Sequence, residues 1–465
     1  MRLQDERVHI IGIGGAGMSA IARVLRARGV YVTGDDRVDS PTLAELRAEG
    51  IPVFVGHHPS HLDGATLVAP SSAISPDEPE LVEARQRGLR ILHRGDLLAL
   101  LLQDKFSVAV AGTHGKSTTT AMIATILQEA GADPSFIIGA KPIGLGTNAR
   151  AGQGEVFVLE ADEYDRTFLR YQPRIAVVTN IEFDHPDTYA DESSVVSAFA
   201  LFLRSVPQEG LIVICADDEG CARALRLAEP SALVVDYGVQ RGMWRAMDIR
   251  ANTLGGVDFD FTGATANGEV TGHCSLRVPG EHNALNALAA LVVATACGVP
   301  IDEAVRALGS YRGAARRFEL RGEANGVRVI DDYAHHPTEI KATLRAARMR
   351  YPLANVWAVW QPHTYSRTLA LLDQFTASFS DADRVIVLPV YAARERAEDF
   401  GFAADALNSI ALARRIRHKA VRAAASFGDA LGFLISQVRP GDVVITLSAG
   451  DGNQVGERLL EMLSR

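Results

Sequence analysis

The chain has 465 residues, 47% of them hydrophobic, with 47 basic against 56 acidic side chains and a formal net charge of −9. That length predicts about three domains of ordinary size, and the acidic surplus argues against a nucleic-acid partner. Four scattered cysteines (Cys215, Cys221, Cys274, Cys297) form no C-x-x-C pair, which excludes a disulfide scaffold and fits a reducing compartment. No apolar segment follows a basic flank near the N-terminus, and the longest apolar run, 287–299, falls short of the roughly 20 residues a bilayer requires. A cytoplasmic protein with no membrane partner is expected.

The chain opens with an apolar strand over 8–13, a glycine turn and a helix over 18–28. A second strand over 30–33 runs into Gly34-Asp35-Asp36, and short apolar runs at 53–55 and 66–69 continue the alternation. Strands alternating with helices imply parallel βαβ units, here a Rossmann-like first domain over 1–104. Its turn, Gly12-Ile13-Gly14-Gly15-Ala16-Gly17, has the spacing that seats a diphosphate on a helix N-terminus, with Asp35 and Asp36 where a ribose-binding acid would fall. NAD, FAD and UDP-sugars all satisfy that pattern, so an NAD-dependent oxidoreductase is one reading. His57, His58 and His61 cluster by count, but no cysteine or acid stands at a ligand spacing from them. They read as a polar surface loop or as substrate-side contacts.

A second block, 105–314, begins with a buried-strand pattern over 106–111 that runs into Gly112-Thr113-His114-Gly115-Lys116-Ser117-Thr118 and a helix starting near Ser117. Backbone N–H groups at such a start gather anions, the lysine reaches a transferred phosphate, and the hydroxyl suits Mg²⁺. Val110 occupies the position of the usual first glycine, so this is a variant phosphate loop in a P-loop-type ATPase domain. Strands at 156–159 and 175–178 each end in carboxylates: Glu160-Ala161-Asp162-Glu163-Tyr164-Asp165 and Asn180-Ile181-Glu182-Phe183-Asp184-His185. At the carboxyl ends of parallel strands both runs share the rim of the phosphate loop, and oxygen ligands suit Mg²⁺. Another strand is expected over 211–214. Antiparallel strands are expected within 245–278, then helices over 282–297 and 301–308 and a linker at 311–315.

The third block, 315–465, repeats the α/β rhythm, with strands over 327–330, 356–360, 384–389 and 442–447 and a helix over 338–350. Arg316-Arg317-Phe318, Asp331-Asp332-Tyr333-Ala334-His335-His336 and Gln361-Pro362-His363 through Arg367 lie at strand ends, where arginines clamp phosphates or carboxylates.

Taken in order, the loop at 112–119, E-A-D-E at 160–163, N-I-E-x-D-H at 180–185, H-N-x-x-N at 282–286, R-R-F at 316–318, D-D-Y-x-H-H-P-T-E at 331–339 and Q-P-H at 361–363 resemble the Mur ligase family across essentially the whole chain. The resemblance implies ATP-dependent joining of an amine to the lactyl carboxylate of UDP-N-acetylmuramate through an acyl phosphate, in peptidoglycan precursor synthesis. It implies that Gly14, Gly15, Ala16, Gly17, Ser71, Ser72, His93, Thr147 and Asn148 meet the UDP-sugar. ATP would be held by residues 112–118 with Asn283, Arg317 and Asp332, and Mg²⁺ by Ser117, Glu160 and His185. Lys116, His185, His335 and Arg367 would serve the reaction, the last two placing the incoming amino acid. Several relatives bridge magnesium with a carbamylated lysine, but no lysine occurs between Lys141 and Lys341. That fits the alanine-adding branch, for which L-alanine is the second substrate, and the murein-peptide recycling branch, which takes a tripeptide. Gly146-Thr147-Asn148-Ala149 points to the former and Tyr164 to the latter. A monomer or homodimer is expected.

Overall fold

The computed structural model describes residues 3–265, 268–401 and 405–465, and three sheets organise them. The first is wholly parallel, in the order β3-β2-β1-β4-β5: β1 (Arg7–Ile11), β2 (Tyr31–Asp36), β3 (Val53–Val55), β4 (Leu67–Pro70) and β5 (Arg90–Ile91). The order reverses between β1 and β4, so the loops that follow these two strands face one another across a crevice. Ser71 closes that crevice by donating its N–H to Ile11 O at 2.9 Å.

The second sheet has ten strands in the order β15-β14-β13-β12-β11-β10-β6-β9-β7-β8. They are β6 (Phe106–Ala111), β7 (Ser135–Ile137), β8 (Ala149–Arg150), β9 (Val156–Glu160), β10 (Ile175–Val178), β11 (Leu211–Cys215), β12 (Leu233–Gly238), β13 (Trp244–Ala251), β14 (Val257–Thr265) and β15 (Gly268–Ser275). β6 is flanked by β9 and β10, both parallel to it. Val108, Ala109, Val110 and Ala111 are all fully buried, because helices cover both faces. The loop after β6 therefore emerges between the two carboxylate-bearing strand ends.

The third sheet runs β16-β17-β21-β18-β19-β20: β16 (Glu319–Ala324), β17 (Val327–Asp332), β18 (Val356–Trp360), β19 (Arg384–Val387), β20 (Val421–Ala423) and β21 (Val443–Leu447). Only β16 is antiparallel to its neighbour. The two-residue period of β18 sends Val356, Ala358 and Trp360 into one core and Trp357 and Val359 into the core on the opposite face. By contrast, the first and second sheets share a single continuous core running from Val8 to Tyr311.

The strands at 106–111, 156–160, 175–178 and 356–360 and the helices Glu281–Ala296, Ile301–Leu308 and Pro337–Arg350 lie where the apolar patterns predict them. β5, β7, β8, β12, β16 and β20 were not foreseen. β5, β7, β8 and β20 are two or three residues long and β16 is polar, so none of these has a long apolar run; β12 starts in the apolar run 232–235, which was a signal passed over. The second strand also extends further than expected: Asp35 and Asp36 belong to β2, not to the loop behind it.

Gly34 lies where β1 and β2 converge. A Cβ there would stand 2.5 Å from Ile10 O and 2.7 Å from Ile13 Cδ1, below any ordinary contact. Gly34→Ala is expected to wedge the two strands apart and cost about 2 kcal/mol, read as a lowered unfolding midpoint in denaturant.

Candidate active site

The loop after β6 depends on two glycines that no other residue replaces. Gly112 has φ +133° and a Cβ there would lie 2.0 Å from Thr179 Oγ1; Gly115 has φ +82° and its Cβ would meet Asn286 Oδ1 at 2.6 Å. Thr113 N donates to Asn180 O at 3.0 Å and His114 N to Asn180 Oδ1 at 2.8 Å, which ties the loop to the end of β10. The helix Lys116–Glu129 starts at Gly115 without a side-chain cap, so its first N–H groups remain available to an anion.

Lys116 Nζ donates to Gly112 O at 2.5 Å, to Thr113 O at 3.1 Å and to Glu163 at 2.9 Å. Burial opposes its charge, but Glu163, Asp162 and Glu160 together raise its pKa. Glu160, Asp162 and Glu163 together outnumber the cations Lys116 and Arg94, so the rim stays net negative. Ser117 is buried at the helix start, and Glu160 accepts the Gly139 N–H at 2.7 Å. His185, held at φ +56°, turns Nε2 to within 3.9 Å of Glu163 and 3.8 Å of Asp184. Glu163 was absent from the expected set, although its place in the acidic run after β9 was a signal for it.

On the far side of the loop a cleft of about 300 Å³, within the range of small-molecule sites, separates the second and third sheets. His114, Gly115, Ser117, Thr118, Asn283, Arg317 and Asp332 all line it, whereas Gly112, Thr113 and Lys116 do not. Asp332 accepts N–H bonds from Phe318 and Ala334, both 2.8 Å, and burial raises its pKa to about 6. Tyr237, Asp217, Asp218, Tyr311 and Glu339 line the cleft too and were not expected there. For the two aspartates the carboxyl end of β11 was a sufficient pointer.

Charged contacts carry the third sheet onto the second. Arg367 is 4% exposed and grips Asp184 with two bonds, Nε to Oδ1 at 2.6 Å and Nη2 to Oδ2 at 3.2 Å. Its Nη1 lies 2.9 Å from His363 Nδ1. Next to it, His335 Nε2 stands 3.9 Å from Asp184; burial lowers the His335 pKa to about 4, so the ring is neutral near pH 7. Thr338 Oγ1 donates to Glu182 at 2.7 Å, and Arg394 donates to the Tyr164 hydroxyl at 3.0 Å.

At the first sheet, Gly14 N donates to Asp36 Oδ2 at 2.9 Å, and Gly12 N and Ile13 N donate to Asp35 O at 2.9 and 2.8 Å. The helix Ala16–Ala27 begins one residue after Gly15, again without a side-chain cap. Ser72 Oγ and His93 Nε2 both reach Asp165 Oδ2 at 2.8 Å, while Arg94 donates to Asp162 at 2.5 Å. Asn148 accepts from Arg23 at 3.2 Å, and Thr147 Oγ1 donates to Ala149 O at 3.0 Å; this pair lies in a separate hollow with Lys141 and Glu45. Two expectations need correction. Asp35 is fully buried and cannot reach a ribose, and His57 and His61 are no free polar loop, since both rings bond its carboxylate. Sequence spacing missed this because the partners come from β2 and from a loop some twenty residues later.

A variant phosphate loop on a helix start, carboxylates on both flanking strands and a third sheet closing over the cleft together define an ATPase-type group-transfer enzyme. Family models agree along the chain: the "Mur ligase family, catalytic domain" model matches residues 7–106, the "Mur ligase middle domain" model 110–294 and the "Mur ligase, glutamate ligase domain" model 316–450. The chain is 44% identical to the UDP-N-acetylmuramate–L-alanine ligase of Renibacterium salmoninarum, covering 98% of this chain and 96% of that one. With the ligase of the same name from Thermobifida fusca it shares 44% identity over the same proportions. Among solved structures, the UDP-N-acetylmuramate–alanine ligase of Thermotoga maritima superimposes with a TM-score of 0.80 at 28% identity, covering 98% of this chain and 99% of that one. A murein peptide ligase from Psychrobacter arcticus gives 0.76 at 28% identity, covering 99% of both. The chain belongs to the Mur ligase family.

His114 offers a pH test of how the third sheet is held. Burial disfavours its charge, yet Glu182 at 3.6 Å and Glu339 at 3.3 Å raise its pKa from 6.5 to about 10. Glu182 itself is lowered to about 2 and stays ionised. The stabilisation is therefore complete below pH 6.5 and lost as pH rises through 10. His114→Gln should cost about 3 kcal/mol at pH 6, and the gap in melting temperature from the parent should close as pH approaches 10.

Proposed function

We propose that this enzyme joins L-alanine to the lactyl carboxylate of UDP-N-acetylmuramate at the expense of ATP, supplying a peptidoglycan precursor in the cytoplasm. The observation that carries this reading is Lys116, fixed by Glu163 on the rim between the diphosphate turn of the first sheet and the cleft beneath the third. Full-length identity of 40–44% to ligases of that name supports alanine as the amine.

ATP would lie in the cleft with its base and ribose near Asn283, Arg317 and Asp332 and its phosphates over residues 112–118. The UDP-sugar would place its diphosphate on Gly14, Gly15, Ala16 and Gly17, with Ser71, Ser72, His93, Thr147 and Asn148 along the sugar side. A carboxylate oxygen attacks the γ-phosphorus, the bond to ADP breaks, and Lys116 follows the migrating charge. Mg²⁺ held by Ser117, Glu160 and His185 would neutralise phosphate charge when bound. The alanine amine then attacks the acyl phosphate, loses a proton and expels inorganic phosphate. His335 and Arg367 would orient the amino acid, with Asp184 handing Arg367 to its carboxylate. Positioning supplies much of the rate in such a reaction, since binding the partners converts encounters into a single step. No helix among the described residues is long and apolar enough to cross a membrane, and we infer a monomer or homodimer.

Likeness to the murein peptide ligase of Psychrobacter arcticus, together with the resemblance of the run ending in Tyr164 to that branch, supports a second reading in which the amine belongs to a tripeptide. ADP release with UDP-N-acetylmuramate, run in parallel with alanine, glycine, serine and a tripeptide, decides between the two. Alanine is expected to give the highest kcat/KM, and a tripeptide preference would overturn the assignment. Lys116→Ala should lower kcat by about 10³-fold or more, as loss of one charge-stabilising donor does; near-normal ligation would exclude the mechanism. Arg367→Ala is expected to raise the KM for alanine at least about tenfold while leaving the KM for ATP within twofold, by the loss of a charge-assisted pair.

A further inference from the structure

Beneath the diphosphate turn lies a group of side chains that the ligase reaction does not use. His9 of β1, Asp35 of β2 and Glu80 of the helix Pro79–Gln86 are all fully buried. His9 Nε2 stands 2.9 Å from Glu80 Oε1 and 3.5 Å from Asp35 Oδ2, and the facing atoms of the three lie within 4.8 Å of one another. The loop after β3 adds two imidazoles. His57 Nδ1 is 2.8 Å from Asp35 Oδ1 and 3.8 Å from Glu80 Oε2, and His61 Nδ1 is 2.9 Å from Asp35 Oδ2.

Two features separate this cluster from an ordinary hydrogen-bonded core. First, His9 Nε2 and both carboxylate oxygens of Glu80 are buried without a hydrogen-bond partner, although they point at one another. Second, the other nitrogen of that ring, Nδ1, is 2.8 Å from Thr33 Oγ1. If Nδ1 carries the proton, Thr33 fixes the ring and turns a bare Nε2 lone pair toward two carboxylates. This is how a second hydrogen bond prepares a metal-binding imidazole. Donors at about 2.0–2.1 Å around a tetrahedral zinc stand about 3.3 Å apart, and the separations here straddle that value. Mixed imidazole and carboxylate donors suit zinc and its neighbours better than magnesium.

We propose that His9, Asp35 and Glu80, with a fourth donor from the loop after β3 or from water, form a binding site for a divalent transition metal of the zinc class. Two carboxylates and the dication cancel in charge, which resolves the repulsion between buried acids. The metal would pin β1, β2 and the helix Pro79–Gln86 together. Its effect would pass directly to the turn, because Asp35 O accepts the Gly12 and Ile13 N–H groups and the adjacent Asp36 accepts that of Gly14. The role is structural and distinct from the magnesium at the phosphate loop.

The test uses the full-length protein, stripped with a chelator, re-equilibrated with zinc in excess Mg²⁺ and ADP, desalted and assayed for metal. About one zinc per chain should remain, thermal unfolding should move upward, and cobalt(II) substitution should give visible bands of a four-coordinate site. Glu80→Gln and His9→Gln should weaken zinc retention about 100-fold with the far-ultraviolet circular dichroism unchanged, while Ser117→Ala should retain it. Failure of the parent protein to retain zinc overturns the proposal whatever the variants do. A full equivalent of zinc held by both Glu80→Gln and His9→Gln overturns it equally, and leaves a hydrogen-bonded cluster sharing a proton.

Discussion

The interaction on which the rest of the structure depends is the bond between Lys116 and Glu163, because the segment carrying Glu163 touches all three sheets. Over six residues beginning at the last residue of β9, Glu160 meets Gly139, Asp162 meets Arg94, Glu163 meets Lys116, Tyr164 meets Arg394 and Asp165 meets Ser72 and His93. Asp165 and Arg166 follow with φ of 54° and 51°, a left-handed pair that turns successive side chains toward different partners. Moving this segment would displace the loop after β6, the crevice of the first sheet and the closing third sheet together.

Electrostatics keeps that hub in place. Buried acids are tolerated where a cation answers each of them, Lys116 for Glu163 and Arg367 for Asp184, and the half-buried Asp162 is answered in the same way by Arg94. Removing one member of such a pair strands the other in a medium of low dielectric constant, which costs far more than the pair itself contributes. Reactive carboxylates and cations are therefore held apart from water and from each other's alternatives before any substrate arrives. Preorganisation of this kind is what a charge-shifting transition state requires.

Much of this was legible in the residues. A continuous apolar run such as 106–111 announces a strand covered on both faces, and glycines followed by Lys116 and Ser117 announce where an anion can sit. The carboxylates at 160–165 and 180–185 could be placed on the same rim because parallel strands deliver their carboxyl ends to one edge. The short strands β5, β7 and β8 were illegible, since two or three residues carry no period. So were the partnerships of His57 and His61 with Asp35, which the chain assembles from β2 and a loop some twenty residues later. Arg394 and Arg94 were equally silent, since a lone arginine reveals its partner only through the fold.

The unequal way in which the sheets are joined has a mechanical consequence. The first two share one apolar core, whereas the third keeps its own two cores and meets the second through ion pairs and hydrogen bonds beside the apolar contacts of Phe183 and Met349. An apolar seam resists sliding whatever the charge state of its neighbours; a charged seam depends on that charge state, and a pair buried as deeply as Arg367 with Asp184 is screened little by added ions. The molecule is therefore an anvil of two sheets with a hammer held by a latch of buried charge, and protons rather than dissolved salt act on that latch.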